Sequence, residues 1–286
     1  MNKGVILAGG YGTRLFPLTK VINKHFLPIF DKPMIYYSLS ILLLFKIENI
    51  SIVCNPEDEK QYINLLGNGE EFGVNISYAI QNKPEGIPHG IKTGIKNFPE
   101  EDFLVILGDN FLYGREFFED FQETINKTDG ASIFCQKVVN PEDYGVALLK
   151  NDLLEKLVEK PKNHVSDNAI IGLYKFDDRF NELFKNLKKS DRNEFEIIDI
   201  LYEYGLKNIK VNNIGRGSTW FDMGSFESFF NASLFVKTIQ ERQGMLVSSP
   251  HEIAYKNGSI DELIIEKFIE KYKNSSYTES LKYLIN

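Results

Sequence analysis

Cysteine is nearly absent: the 286 residues include two, Cys54 and Cys135. Each lies in an apolar, strand-like stretch (SIVC and ASIFC) without a CxxC partner. A disulfide framework and a cysteine metal site are therefore excluded, and both read as buried, reduced thiols. Histidine is almost as scarce. His25, His89, His164 and His251 show no metal-ligand spacing and no serine or cysteine partner arrangement, so hydrolytic triad chemistry has no support. Long apolar runs are missing too: the longest, near Ile41–Phe45, is far too short to cross a bilayer. The chain enters a strand without a basic segment followed by an apolar stretch, and a cytoplasmic protein with no membrane partner is the expectation. Nor is there a basic surplus. The net charge is −7 with both signs interspersed, which argues against nucleic acid as a partner but leaves room for a local Arg and Lys cluster that binds free nucleotide.

What is present is a globular composition, 43% hydrophobic and 26% charged, sufficient for one large body with an elaboration. The most informative stretch is the amino-terminal run GVILAGGYGTRLFPLTKVINKHFLPIFDKP. In it the apolar strand Val5-Ile6-Leu7-Ala8 breaks into a loop with Gly9, Gly10 and Gly12, followed by Arg14 and then Lys24. Closely spaced glycines let backbone N–H groups approach a polyphosphate without Cβ obstruction, and two nearby cations can neutralise its charge. The loop lacks the Walker spacing and does not match the dinucleotide-binding glycine pattern. A lone glycine loop would read as an ordinary strand-to-helix turn. The fixed order of Arg14, Lys24 and Lys32-Pro33 favours a nucleoside triphosphate site instead.

Through the first 140 residues, β-branched runs alternate with amphipathic stretches, the pattern of parallel strands joined by helices. Expected strands are Gly4–Ala8, Ile50–Cys54, Ile76–Ala79, Phe103–Leu107 and Ala131–Val138. Expected helices are Met34–Phe45, Asp58–Leu66, Ile91–Asn97 and Glu116–Asn126. The fold class is α/β, a doubly wound, mostly parallel sheet, in which ligands bind beyond the carboxyl ends of the strands, where Gly9-Gly10 and Gly108-Asp109 fall. Beyond Asn140 the strands crowd together: Val146–Leu149 and Leu153–Val158 around Lys150-Asn151-Asp152 predict a hairpin, and Ala169–Phe176 a further strand, hence an added antiparallel portion. Helices are predicted over Phe180–Leu187, Glu196–Tyr204 and Ser225–Gln243, with Ser225 as N-cap and Gly244 as stop, and a strand over Ile209–Ile214. We expect a catalytic core over residues 1–244, divided into a nucleotide part to about 140 and a sugar part over 141–224, followed by a helical segment, 245–286.

Asp109 follows the strand FLVIL and a glycine, and Asp222 follows Trp220-Phe221 ahead of the long helix. Two carboxylates at strand ends near a glycine loop suit a divalent ion that bridges phosphates; the alternatives are a common Gly-Asp-Asn turn and a helix N-cap. Gln81, with Gly86 downstream, offers the donor and acceptor that match a pyrimidine edge. Glu159 and Lys160 could meet sugar hydroxyls and a sugar phosphate, and Arg192 could add a second cation; each otherwise reads as solvated surface. Phe226, Phe229, Phe230 and Phe235 recur at helical spacing and read as core, with a subunit contact as the other reading.

From Lys3 to about Tyr255 the chain resembles the bacterial sugar-1-phosphate nucleotidylyltransferases, on the branch that makes dTDP-glucose from dTTP and glucose 1-phosphate. The resemblance runs through LAGGYGTRLFPLT, the lysine block from Lys24 to Ser40, VILGDNFLYG, PEDYGV, EKP, IIGLYKFD, EFEIIDI, GRGSTWFDMGSFESFFNASLFV and ERQG. It implies that Leu7 lies in the nucleotide site, that Gly9, Gly10, Gly12 and Thr13 hold the triphosphate, that Arg14 binds and polarises it, and that Lys24 steadies the departing pyrophosphate. Asp109 and Asp222 would hold Mg²⁺; His25, Gln81 and Gly86 would lie against the nucleotide; Asn110, Gly145, Glu159, Lys160 and Arg192 would receive the sugar phosphate. A homotetramer is implied, with a second, inhibitory nucleotide site near Tyr113, Gly114, Arg216, Glu252 and Ile253, and a product that feeds deoxysugar and surface polysaccharide synthesis. The chain departs from the family pattern at four places: His25 in place of glutamine, Ile87-Pro88-His89 after Gly86, Phe221 and Met223 around Asp222, and Ile171 for threonine. These changes lie near the base or the sugar, so UTP or another hexose 1-phosphate is the alternative substrate. A binding protein without turnover is the alternative from another class, and the retention of Arg14, Lys24, Asp109 and Asp222 argues against it.

Overall fold

The structure, a computed structural model, describes residues 1–98, 101–114, 118, 121, 125 and 129–285. Four strands, β1 (Lys3–Leu7), β4 (Asn49–Cys54), β5 (Asn75–Ile80) and β6 (Phe103–Leu107), run parallel, with β1 between β6 and β4, and β5 beside β4. Their side chains alternate between two buried layers: Val5, Val53 and Val105 face one, Ile6, Ile52 and Ile106 the other. Burial on both faces explains why these strands read as continuous apolar runs. Helix α1 (Met34–Leu44), buried along nearly its whole length, covers the Ile6 face; α3 (Ile87–Gly94) helps cover the Val5 face. Two-residue strands β2 (Pro28–Ile29) and β3 (Lys32–Pro33) precede α1, and α2 (Glu59–Leu66) follows β4.

The antiparallel portion grows on the other edge. β11 (Asn168–Phe176) pairs antiparallel with β6, and β9 (Gly145–Lys150) and β10 (Leu153–Glu159) extend the sheet from β11. β8 (Ala131–Lys137) pairs with β11, and β12 (Ile209–Asn213) runs parallel to β8, giving nine strands in one sheet. The hairpin expected at Lys150-Asn151-Asp152 is present, with Asn151 and Asp152 at φ 50° and 61°. Two positive φ values in a two-residue turn match the twist of the flanking strands.

Short helices α4 (Phe180–Leu183) and α5 (Ile197–Tyr204) pack on the Val5 layer. The long helix α6 (Phe226–Gln243) starts at Ser225, which caps it through a reciprocal box with Ser228, and stops at Gly244 in the left-handed region. Helices α7 (Pro250–Lys256), α8 (Glu262–Lys271) and α9 (Ser276–Ile285) close the chain. No helix among the described residues is long and apolar enough to cross a membrane.

Three sequence expectations are corrected. Helix α3 begins at Ile87, four residues before the predicted start, because Pro88 sits where a first-turn N–H has no intrahelical partner. A two-stranded ribbon of β7 (Asn110–Tyr113) and β13 (Thr219–Asp222) was not foreseen. Of the four phenylalanines read as core, Phe229 and Phe235 pack inward, whereas Phe226 and Phe230 are exposed. The helix expected over Glu116–Asn126 lies largely outside the described residues.

Candidate functional site

Strands β1 and β6 end side by side, and the loops that leave them build one wall of an open cleft of about 390 Å³. Gly108 donates its N–H to the Leu7 carbonyl (2.9 Å), and Ser38 on α1 donates to the Leu107 and Asn110 carbonyls, so the turn that bears Asp109 is fixed from two sides. The loop after β1 folds over Lys24. A Cβ on Gly10 would sit 3.9 Å from Lys24 Nζ, and Gly12, at φ 61°, packs against the lysine stem. Absence of a side chain at Gly10 keeps the space beside the ammonium open.

Asp222 joins Asp109 through the β7–β13 ribbon. Asp222 stands opposite Asn110 in register, and Met223 donates its N–H to the Asp109 carbonyl at 2.9 Å. The helix-cap reading of Asp222 is corrected, since Ser225 is the cap. Lys24 forms a salt bridge with Asp109, and Arg14 reaches to 3.9 Å from Asp222 with its side chain 66% exposed, free to meet a ligand. Burial opposes ionisation at both acids. At Asp109 the attraction of Lys24 wins and holds the carboxyl low, while at Asp222 the Asp109 charge adds to burial and pushes the carboxyl up. His25 is held neutral, its pKa lowered to about 3 by burial and by Lys24.

The cleft is also lined by Gln81, Gly86 and Gly90, and by Gly145, Glu159, Lys160 and Arg192. Arg192 is engaged by Glu196 at 2.7 Å and lies 3.5 Å from Glu159. Burial raises the Glu159 carboxyl, against Arg192. Asn110 spends its amide oxygen on the Gly172 N–H and on Trp220 Nε1, and its amide nitrogen donates to Asp109 at 3.2 Å.

Of the residues singled out from the sequence, Leu7, Gly9, Gly10, Arg14, Lys24, His25, Gln81, Gly86, Asp109, Asn110, Gly145, Glu159, Lys160, Arg192 and Asp222 line this one cleft. Gly12 and Thr13 are not among its lining residues. Tyr113 and Gly114 end β7, and Arg216 is exposed ahead of β13; Glu252 and Ile253 sit on α7, with Glu252 bonded to Lys256 and Ile253 packed on the central core. Sequence reasoning did not single out Tyr144, Trp220 and Glu196, which also line the cleft. Trp220 and Asp222 share a face because they are two apart on a strand, a signal that required β13 to be recognised. Cys54 and Cys135 are buried, each thiol pushed up to about 12 chiefly by desolvation.

Comparison with known proteins agrees with this geometry. A family model described as nucleotidyl transferase matches residues 3–239. Glucose-1-phosphate thymidylyltransferase of Neisseria meningitidis serogroup A is 39% identical over 286 residues, 99% of each chain. A crystal structure of a Bacillus anthracis protein assigned to the same activity, in complex with sucrose, superposes with a TM-score of 0.74 at 36% identity over 82% of this chain and 94% of that one. UDP-glucose pyrophosphorylase complexed with UDP-glucose superposes at 0.71 with 26% identity over 84% and 99%. With the match spanning most of its length, the chain belongs to the nucleotidyl transferase family.

Proposed function

We propose that the chain condenses dTTP with α-D-glucose 1-phosphate, releasing dTDP-glucose and pyrophosphate. The observation that carries this reading is the meeting of Arg14, Lys24, Asp109 and Asp222, from separate stretches of chain, in one cleft that Gln81, Glu159, Lys160 and Arg192 also line. Gln81 would read the pyrimidine; Glu159, Lys160 and Arg192 would hold the sugar phosphate. We assign the nucleotide side to residues up to about 140, the sugar side to 141–224, and a helical addition to 245–286.

A phosphate monoester is already an anion at neutral pH, so its attack on the α-phosphorus needs no general base. Charge builds on the equatorial oxygens and on the departing pyrophosphate, and Arg14 and Lys24 are the side chains placed to offset it. Two carboxylates that share one cleft, one of them resisting ionisation beside the other, form a hard-oxygen donor set short of positive charge, which fits magnesium. When bound, the ion supplies positive charge to the phosphate oxygens, with Asp109 and Asp222 as its protein ligands. Orientation of both substrates in one cleft then contributes the remainder.

UTP is the second reading for the nucleotide, because an amide at Gln81 matches the N3–H and O4 edge that thymine and uracil share. A homotetramer and a second nucleotide site near Tyr113, Gly114, Arg216, Glu252 and Ile253 belong to the same proposal; the exposed stripe Phe226, Phe230 and Leu234 on α6 supports subunit packing. The test combines purified protein with Mg²⁺, glucose 1-phosphate and dTTP, UTP, CTP or ATP in turn, and follows pyrophosphate release. Release is expected with dTTP, and Arg14→Ala or Asp109→Asn should lower turnover on the order of a hundredfold or more with the fold retained. No release with any nucleotide, or unchanged kinetics in both variants, overturns the proposal.

A further inference from the structure

Gln81 is held by a chain of polar groups that ends outside the cleft. Its Nε2 lies 2.9 Å from His89 Nδ1; His89 Nε2 lies 3.9 Å from Glu85 Oε2; and Glu85 Oε1 accepts from Lys189 Nζ at 2.7 Å. An amide nitrogen only donates, so His89 Nδ1 accepts and the ring proton sits on Nε2, toward the carboxylate. The reverse arrangement turns the amide over, moves the proton to Nδ1 and sets a nitrogen lone pair against Glu85. Lys189, hydrogen-bonded to Glu85, holds that carboxyl below its usual range and therefore charged. His89 is kept neutral because burial, with Lys189, Lys92 and Lys96, outweighs the pull of Glu85. Gln81 Oε1 consequently faces Gly9 at the cleft wall, where a Cβ would lie 2.9 Å from it.

We propose that His89, oriented by Glu85, is a positioning residue that fixes the polarity of the Gln81 amide and so makes the cleft select pyrimidines with N3–H and a 4-oxo group over 4-amino pyrimidines. The proposal rests on the reading of Gln81 as the base contact. A terminal amide rotor is two-fold, and nothing intrinsic to glutamine chooses between its faces. With its nitrogen committed to His89, the amide presents Oε1 and one N–H, the complement of N3–H and O4. Cytosine offers N3 as an acceptor and a 4-amino donor, which places like against like and leaves buried polar groups unpaired.

The experiment measures kcat and KM with glucose 1-phosphate for dUTP and dCTP, which differ only at the edge in question, in the unmodified chain, His89→Lys and Glu85→Gln. A lysine at 89 can only donate, so the amide turns over. The dUTP-to-dCTP ratio of kcat/KM should fall about tenfold or more, through KM, with kcat on saturating dUTP kept. Glu85→Gln removes the reason for the Nε2 proton and should move the ratio the same way by a smaller factor. A ratio unchanged in both variants, or an equal loss on both nucleotides, overturns the inference while the enzymatic reading stands. Absence of turnover in the unmodified chain with dTTP, dUTP and dCTP overturns both.

Discussion

Asp222 illustrates how a residue suited to its ligand is unsuited to the empty protein. Its side chain, 21% exposed, shares the cleft with that of Asp109, with Arg14 as a distant, exposed counter-charge. Replacing it by the isosteric amide removes a like-charge repulsion, and a buried charge without a close partner is costly. Asp222→Asn is therefore expected to raise stability in metal-free buffer by about 1 kcal/mol while abolishing most turnover. Thermal denaturation in chelator, paired with pyrophosphate release, measures both; a lower melting temperature would sink the argument. At this scale the sequence was informative about residue type. The glycine loop, Arg14 and Asp109 are legible because each follows closely on a strand end, where local geometry decides what it can reach, and Lys24 is legible from its order after that loop. His89 and Glu196 carried no such signal, for their partners Gln81 and Arg192 are chosen by side-chain packing.

Elements behave the same way. Strands buried on both faces and helices with clear caps were readable, and Ser225 is an example: its hydroxyl accepts from the Ser228 N–H, and the Ser228 hydroxyl accepts in return from the Ser225 N–H. Ser225→Ala should lower stability by about 1 kcal/mol, read as a shifted urea midpoint. A change below a few tenths would mean that water replaces the cap. The ribbon β7–β13 was not readable. Four residues on each side, one of them beginning within an apparent Gly-Asp-Asn turn, give too short an alternation, and their partners are about a hundred residues apart.

Over the whole molecule, the carboxyl-terminal helices are fastened to the core by His251. It is fully buried, its ring centroid 3.8 Å from that of Phe268, its Nδ1 2.9 Å from the Tyr277 hydroxyl, with Glu71 at 4.0 Å from Nε2. Burial lowers its pKa, against Glu71. Above pH 6.5 the ring is neutral folded and unfolded, so stability is complete; below it the unfolded chain takes the proton first, and stability is lost until the folded pKa is reached. Between pH 7.5 and 5.5 the loss should approach about 1.4 kcal/mol at His25, whose pKa is lowered to about 3, and His251 adds a loss of the same sign. His251→Phe should flatten the slope of stability against pH, as chemical denaturation at several pH values would record. An unaltered slope would show that folding leaves the His251 pKa where it is in the unfolded chain.

The sequence by itself determined the parallel α/β core, the hairpin and the glycine-rich amino-terminal turn, because strand alternation, helix caps and a glycine loop obey forces that act within a few residues. Only the tertiary structure decided that Asp222 meets Asp109, that Asn110 is spent on Gly172 and Trp220, and that Gln81 is oriented from Lys189 by way of His89. Those contacts join distant segments, and their geometry follows from strand register and from the packing of the two layers, which no local stretch of chain contains.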